Sequence, residues 1–194
     1  MSHTLIIAEA GVNHNGKLDL ALKLCDAAKE AGADVVKFQT WKTEKIITRT
    51  VSQADYQTEN TGKTESQFDM LKRLELSYDY FRKIKAHCDK IGIQFASTAD
   101  EEESLDFLIS LGIPFIKIGS GEITNIPYLR IMGSKKLPII ISSGMSTLAE
   151  VDVALAELRN AGATDIILLH CTTNYPCPMQ DVNLKAMLTL KEAF

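Results

Sequence analysis

The chain has 194 residues, of which 45% are apolar, and a net charge of −4. That length suffices for one buried core, and the lack of any lysine and arginine cluster argues against a nucleic-acid partner. The N-terminus lacks the features of a signal peptide, and no apolar run reaches the ~18 residues of a membrane helix. The four cysteines form no C-x-x-C pair, which is typical of free thiols in a reducing compartment. These features predict a cytoplasmic protein with no membrane partner.

Six short β-branched runs predict six strands. Each run after the first follows a segment with helical periodicity, and four begin just after a glycine, the residue that favours the left-handed conformation past a helix C-terminus. The runs are apolar on both alternations, as expected of strands covered on both faces. The predicted strands are Thr4–Ala8, Asp34–Phe38, Ile93–Ala96, Phe115–Ile118, Ile139–Ser142 and Asp165–Leu169.

Between the strands, apolar residues recur at helical spacing, as at Leu18, Leu22 and Cys25. Alternating strands and helices predict the α/β class with a parallel sheet, and repeat units of roughly 20–30 residues suit a (β/α)8 TIM barrel. Six strands predict a barrel truncated before its end, because an open six-stranded sheet, the alternative, would leave an uncovered edge. Residues 1–194 are then one incomplete N-terminal barrel domain.

A polar insertion over residues 40–77 separates the second strand from the next clear helical pattern. A loop of this length is usually functional or mobile. It would begin at the C-terminal end of a strand, where barrels keep their active sites. We therefore predict a functional loop here.

Polar side chains follow every predicted strand, which a purely structural protein would not need. In a parallel barrel these strand ends meet at one rim, so the pattern predicts an active site there. The residues concerned are Glu9, His14, Gln39, Thr98, Lys117, Ser120, Glu122, Ser143, Gly144, His170, Thr173 and Tyr175.

Lys37 and Lys117 lie within or at the end of apolar strands. Two such lysines aimed at one rim predict an anion site for phosphate or carboxylate. A snorkelling lysine and a Schiff-base lysine whose pKa is lowered by burial are the alternatives. Backbone N–H groups and hydroxyls around Ser120, Ser143 and Gly144 could bind phosphate oxygens. The alternative is that these glycine and serine residues only form a tight turn.

Glu9 and Glu122 are carboxylates beside this predicted anion site. Either could act as a general acid or base, or could form an ion pair with one of the two lysines. His14 and His170 are candidate metal ligands or bases, with a hydrogen-bonding structural role as the alternative.

The strand-end strings are IIAEAGVNHNG, DVVKFQT, FASTAD, FIKIGSGE, PIIISSGM and LLHCTTNYPCP. In order and spacing they resemble the N-terminal catalytic barrel of the sialic acid synthase family, which includes N-acetylneuraminate, legionaminate and pseudaminate synthases. The resemblance covers essentially the whole chain.

The resemblance implies condensation of phosphoenolpyruvate with an N-acetylated hexose such as N-acetylmannosamine. Water attack and C–O cleavage then release phosphate and leave a nine-carbon 2-keto acid. It implies that Glu9 and Glu122 are catalytic and that Gln39 and Tyr175 contact the sugar. The implied phosphoenolpyruvate-binding residues are Lys37, Thr98, Lys117, Ser120, Ser143 and Gly144.

The resemblance also implies a divalent metal, Mn²⁺ or Mg²⁺, whose ligands would lie beyond residue 194, so no metal ligand is predicted within this chain. It implies a homodimer and a C-terminal antifreeze-like domain, which is absent from these residues. Thr173 stands where some members have a sugar-contacting asparagine. Without the metal ligands and the C-terminal domain, the chain alone is expected to be catalytically incompetent. A Schiff-base aldolase and a non-catalytic partner-binding remnant are the competing hypotheses.

Overall fold

The computed structural model describes residues 3–51 and 66–194. The chain divides into two compact units, Met1–Pro114 (unit 1) and Phe115–Phe194 (unit 2). In both units parallel strands alternate with helices, as the sequence predicts for the α/β class. No helix in the described parts of the chain combines the length and the apolar character that crossing a bilayer requires.

Unit 1 has three parallel strands that lie side by side in chain order. They are β1 (Ile7–Gly11), β2 (Val35–Thr40) and β3 (Gln94–Ala99). The described helices are α1 (Leu18–Glu30), α2 (Thr43–Ile46), α3 (Gln67–Leu74), α4 (Tyr78–Ile91) and α5 (Glu102–Ser110).

Unit 2 repeats the pattern with three further parallel strands. They are β4 (Ile116–Ile118), β5 (Ile139–Ser142) and β6 (Ile166–Leu169). The helices are α6 (Ile126–Ser134), α7 (Leu148–Asn160) and α8 (Ala186–Ala193), and short 3₁₀ turns cover Ser120–Glu122 and Met179–Asp181.

Each unit buries apolar side chains of its strands against one face of its helices. In unit 1, the rings of Phe38 and Phe81 pack on Phe95, with ring centroids 6.1 and 6.3 Å apart respectively. In unit 2, Leu129 of α6 and Leu155 of α7 are buried. Burying a side chain of this size contributes about 1.5–3 kcal/mol each, so these clusters hold the strand ends in place.

The positions of all six predicted strands are confirmed, but the bounds of the first are wrong. The run Thr4–Ala8 was expected, whereas β1 covers Ile7–Gly11. Leu5 and Ile6 are 45% and 50% exposed, and pairing with β2 begins at Ile7. An apolar run therefore misled the assignment, because backbone pairing and not side-chain polarity sets the ends of a strand.

The second and third strands also extend further than predicted. Gln39 pairs with Thr98, and Thr40 with Ala99, in the ladder between β2 and β3. The polar residues expected just after these strands therefore lie inside them, as Glu9 lies inside β1. Side chains in a ladder have a fixed direction, whereas those in a loop do not.

The predicted loop over residues 40–77 is also partly wrong. Two helices, α2 and α3, lie within it, while residues 52–65 fall outside the described residues. Ser66 caps α3 by accepting a hydrogen bond from the Asp69 N–H, and Phe68 and Met70 are buried. Sequence analysis missed α3 because its few apolar residues are surrounded by many polar ones.

Candidate functional site

In unit 1, β1 and β2 bring the predicted residues Glu9 and Lys37 together, since the two residues face each other in the ladder. The Lys37 Nζ lies 2.6 Å from Glu9 Oε2 and donates to Thr98 Oγ1 at 3.3 Å. The Lys37 side chain is 7% exposed, whereas the Glu9 side chain is 54% exposed. A charged ammonium is thus held at the buried side of the group, and its carboxylate partner lies at the solvent side.

Gln39 joins this group from the same strand. Residues two apart in a strand point to one face, so Gln39 shares the face of Lys37, and it pairs directly with Thr98. Thr40 shares a buried 2.7 Å hydrogen bond with Ser97, hydroxyl to hydroxyl, which links β2 to β3. Sequence analysis did not single out this second pair, since its signal is only two hydroxyl residues within apolar strands.

His14, in the loop after β1, is fully buried. Its Nδ1 accepts a hydrogen bond from the Gly16 N–H at 3.0 Å. Burial lowers the pKa of His14 to about 4. The imidazole is therefore neutral at pH 7, and its observed contact is a structural one within the loop.

In unit 2, Lys117 of β4 is anchored by two hydrogen bonds. Its Nζ donates to Ser142 Oγ at 2.5 Å and to the carbonyl oxygen of Ile118 at 2.7 Å. Ser142, at the end of β5, is buried. Sequence analysis did not assign Ser142 a role, although it directly precedes the predicted anion-binding residues.

The loop after β5 brings together Ser120, Ser143 and Gly144. Gly144 has a φ of +50°, and a Cβ placed on it would lie 2.2 Å from the Cβ of Ser120. Only glycine fits this approach, which places the Ser120 side chain against the loop. The Ser143 N–H donates to the Leu169 carbonyl at 2.9 Å. That N–H is therefore committed to the sheet, and the predicted cradle of backbone N–H groups is wrong at this position.

A cavity of about 830 Å³ in unit 2 opens beside this loop. Its walls include Ser143, Gly144, His170, Thr173, Asn174 and Lys185. The Nε2 of His170 forms a 2.8 Å hydrogen bond with the carbonyl oxygen of Val182. Tyr175 is 64% exposed and does not line this cavity. Thr173 and Asn174 are thus better placed for a ligand in this cavity than Tyr175.

Glu122 ends the 3₁₀ turn that begins at Ser120. Its carboxylate accepts a 2.7 Å hydrogen bond from the Asn125 side chain, and Asn125 caps α6 by accepting from the Tyr128 N–H. Glu122 therefore supports the entry into α6, and this contact does not exclude a chemical role.

The described residues do not fit the divalent metal that the resemblance implies. Within residues 3–51 and 66–194, no three His, Cys, Asp or Glu side chains are grouped to hold an ion. His14 Nδ1 and His170 Nε2 are both engaged with the backbone. The placement of the metal ligands beyond residue 194 stays a prediction.

The family model described as "NeuB family" matches residues 24–194. The chain is 53% identical to the N,N'-diacetyllegionaminic acid synthase of Legionella pneumophila, over 97% of this chain and 54% of that protein. It is 48% identical to the enzyme of the same name from Campylobacter jejuni, over 100% and 59% respectively.

Among solved structures, the chain resembles the N-acetylneuraminic acid synthetase of Leptospira borgpetersenii serovar Hardjo-bovis, determined in complex with citrate. The TM-score is 0.85 at 31% identity, and the match covers 100% of this chain and 62% of that one. This likeness confirms the predicted fold class. The chain spans about half the length of the curated relatives it matches. The chain belongs to the NeuB family, the family of the sialic acid synthases.

Proposed function

We propose that this chain carries the phosphoenolpyruvate-binding residues of a synthase. The synthase condenses phosphoenolpyruvate with an N-acetylated hexose, forms a nine-carbon 2-keto sugar acid and releases phosphate. Family membership and the names of the relatives support the reaction class. The buried ammonium of Lys37, held between Glu9 and Thr98, is the observation on which the proposal rests.

Phosphoenolpyruvate carries up to three negative charges and no positive charge, so it needs cations that are already in place. At 4 Å and an effective dielectric constant of 20, one unit charge attracts another by about 4 kcal/mol. The half-exposed Glu9 carboxylate can turn towards solvent, which frees the buried Lys37 for a substrate anion. Thr98 then offers its hydroxyl to the same anion.

Unit 2 supplies a second group of the same chemical kind. Lys117 contributes a positive charge, and the hydroxyls of Ser120 and Ser143 can donate to phosphate or carboxylate oxygens. The missing side chain of Gly144 lets the Ser120 side chain lie directly against the loop that carries Ser143. We propose that these four residues bind phosphoenolpyruvate.

The carboxylates have roles in moving protons. Once an anion takes Lys37, Glu9 lies next to the bound substrate and can accept a proton from the attacking water. Loss of phosphate then breaks the C–O bond. Glu122, hydrogen-bonded to Asn125, is the second candidate for orienting water or transferring protons.

The names of two relatives, together with atom balance, support one class of acceptor sugar. Phosphoenolpyruvate contains no nitrogen, so both acetamido groups of N,N'-diacetyllegionaminic acid must come from the six-carbon acceptor. This chain is 53% and 48% identical to two synthases of that product and 31% identical to the N-acetylneuraminic acid synthetase. We propose that the acceptor is a hexose with two acetamido groups and that Gln39 is one of its contacts.

Calorimetric titration of phosphoenolpyruvate into the purified chain tests the proposal. We expect saturable binding that is tighter than that of inorganic phosphate, and a loss of at least about tenfold in affinity in Lys37→Met and Lys117→Met. Lys23→Met, which removes an exposed lysine on α1, is the matched control and leaves binding unchanged. Equal affinity for phosphoenolpyruvate and inorganic phosphate contradicts the proposal. Borohydride-dependent labelling of Lys37 or Lys117 by pyruvate supports the Schiff-base alternative instead.

A further inference from the structure

A nearly buried carboxylate outside the proposed site, that of Glu75, binds the segment that follows Gln39. Glu75 directly follows α3, and its side chain is 11% exposed. Its Oε2 accepts from the Thr43 N–H at 3.0 Å and from the Thr43 hydroxyl at 2.7 Å. The Lys72 ammonium donates to the same oxygen at 3.2 Å. The carboxylate thus satisfies the first N–H of α2, whose own N-cap residue makes no side-chain cap.

The hydrogen bonds continue from Thr43 to a tryptophan. The Trp41 indole N–H donates to Thr43 Oγ1 at 3.1 Å, so Trp41, Thr43 and Glu75 form one chain of hydrogen bonds, here called the Thr43 clamp. Trp41 is buried against Met70 and Leu74 of α3. The clamp therefore fixes the segment after β2 both through polar contacts and through packing.

The loop after β1 packs on the same cluster. Val12 contacts the cluster formed by Trp41, Met70 and Leu74. A Cβ on Gly16 would lie 2.3 Å from the Arg73 carbonyl oxygen, so this loop touches the backbone of α3 directly. The segments that follow Glu9 and Gln39 thus share one support on α3.

Gln39 lies four residues before Thr43, which is too short a stretch to move independently of it. At its other end, this stretch is held by the ladder, where Gln39 pairs with Thr98 and the Asp100 N–H donates to the Thr40 carbonyl at 3.1 Å. Apolar packing of Trp41 against α3 fixes how close residues 40–43 lie to that helix. The hydrogen bonds from Thr43 to Glu75 have direction, so they fix its orientation.

We propose that Glu75 is a positioning residue for the acceptor sugar. It acts through Thr43 on the segment that carries Gln39, and does not touch the sugar itself. The inference rests on the proposed function, in which Gln39 contacts that sugar. Phosphoenolpyruvate binding through Lys37 and Thr98 depends less on the clamp, because Lys37 lies deeper within β2 and Thr98 lies on β3, whereas Gln39 is one residue from the end of β2, where the clamped segment begins.

The test uses Glu75→Gln, which keeps the shape of the side chain and removes its charge. Trp41 is the only tryptophan in the chain, so its fluorescence reports on the clamp without any need for turnover. We expect a red shift of the emission and greater acrylamide quenching in Glu75→Gln. Saturation-transfer NMR titrations with N-acetylmannosamine, and with a hexose bearing two acetamido groups, measure acceptor affinity in the presence of phosphoenolpyruvate.

The expected result is a split between the two ligands. Acceptor affinity falls at least about tenfold in Glu75→Gln, the loss that about 1.4 kcal/mol produces, whereas phosphoenolpyruvate affinity changes less than about twofold. Thr43→Val, which loses the hydroxyl, reproduces the effect, and Thr43→Ser, which keeps it, restores acceptor affinity. Glu44→Gln is the matched control, because Glu44 is exposed and pairs with the same Lys72 but not with Thr43.

Three outcomes overturn the inference. Unchanged acceptor affinity in Glu75→Gln with a shifted Trp41 emission shows that the clamp does not position the sugar. Equal weakening of both ligands shows a general structural role for Glu75, and so does an acceptor loss in Glu44→Gln as large as that in Glu75→Gln. If the unsubstituted chain binds phosphoenolpyruvate no better than inorganic phosphate, or binds no acceptor, the proposed function itself fails.

Discussion

Replacing Gly144 by alanine tests how the loop after β5 is built. The structure gives two separate reasons for a loss of stability. Gly144 has a φ of +50°, a conformation that costs an L-residue about 1–2 kcal/mol. The new methyl would also lie 2.2 Å from the Cβ and 2.3 Å from the Oγ of Ser120, well inside contact distance.

The magnitude follows from adding these two effects. Overpacking of this kind costs about 1–3 kcal/mol after the neighbours relax. Together with the backbone strain, we expect Gly144→Ala to lower the free energy of unfolding by about 2–5 kcal/mol. In a Ser120→Gly background the two closest atoms are gone and the nearest remaining one is Thr173 Oγ1, 3.3 Å from the new methyl, so the cost falls to little more than the backbone strain of about 1–2 kcal/mol.

Urea denaturation followed by far-ultraviolet circular dichroism measures the four members of this double-mutant cycle. Gly119→Ala is the matched control, since a Cβ there meets nothing within 4 Å and its φ is −69°. We expect the control to stay within about 0.5 kcal/mol of the unsubstituted chain. If Gly144→Ala costs the same with and without Ser120, the close approach of these two residues is refuted.

Two further predictions concern unit 1. Burial lowers the pKa of His14 from 6.5 to about 4, so the unfolded chain takes up a proton between these values that the folded chain does not. Stability therefore falls as pH drops from 6.5 to 4, by up to about 3 kcal/mol, and urea titrations of His14→Asn should show a flatter profile. The second prediction concerns Cys25 and Cys88, whose sulfurs lie 3.5 Å apart in the core. The hydrogen bond with Cys88 and burial both raise the pKa of Cys25, so mass spectrometry after native iodoacetamide treatment should find Cys171 and Cys177 alkylated before Cys25; the reverse order would contradict the structure.

Much of the fold was predictable because it depends on local patterns. The four glycines that precede predicted strands all have positive φ, between +73° and +114°, as their position past a helix suggests; they are Gly32, Gly92, Gly112 and Gly162. The apolar runs of β2, β4, β5 and β6 coincide with the observed strands to within two residues at either end. Hydrophobic periodicity and the glycines between helices and strands are properties of neighbouring residues, so they can be recognised directly in the sequence.

The candidate site was predictable only as a set of residue types. Lys37 and Glu9 were singled out as an anion-binding lysine and a carboxylate, and an ion pair between them was one of the hypotheses. Their 2.6 Å contact depends on the parallel register of β1 against β2. A shift of that register by one residue would turn one of the two side chains to the other face.

The sequence by itself determined that strands and helices alternate, that polar residues stand at the strand ends, and that the set of motifs resembles one family. Only the tertiary structure decided which of those residues meet, that the Ser143 N–H belongs to the sheet, and that Glu75 binds Thr43 across 32 positions of the chain. The physical reason is that residue type and periodicity are local, whereas a hydrogen bond depends on the distance and direction between donor and acceptor. When donor and acceptor are far apart in the sequence, only the folded backbone sets that distance and direction.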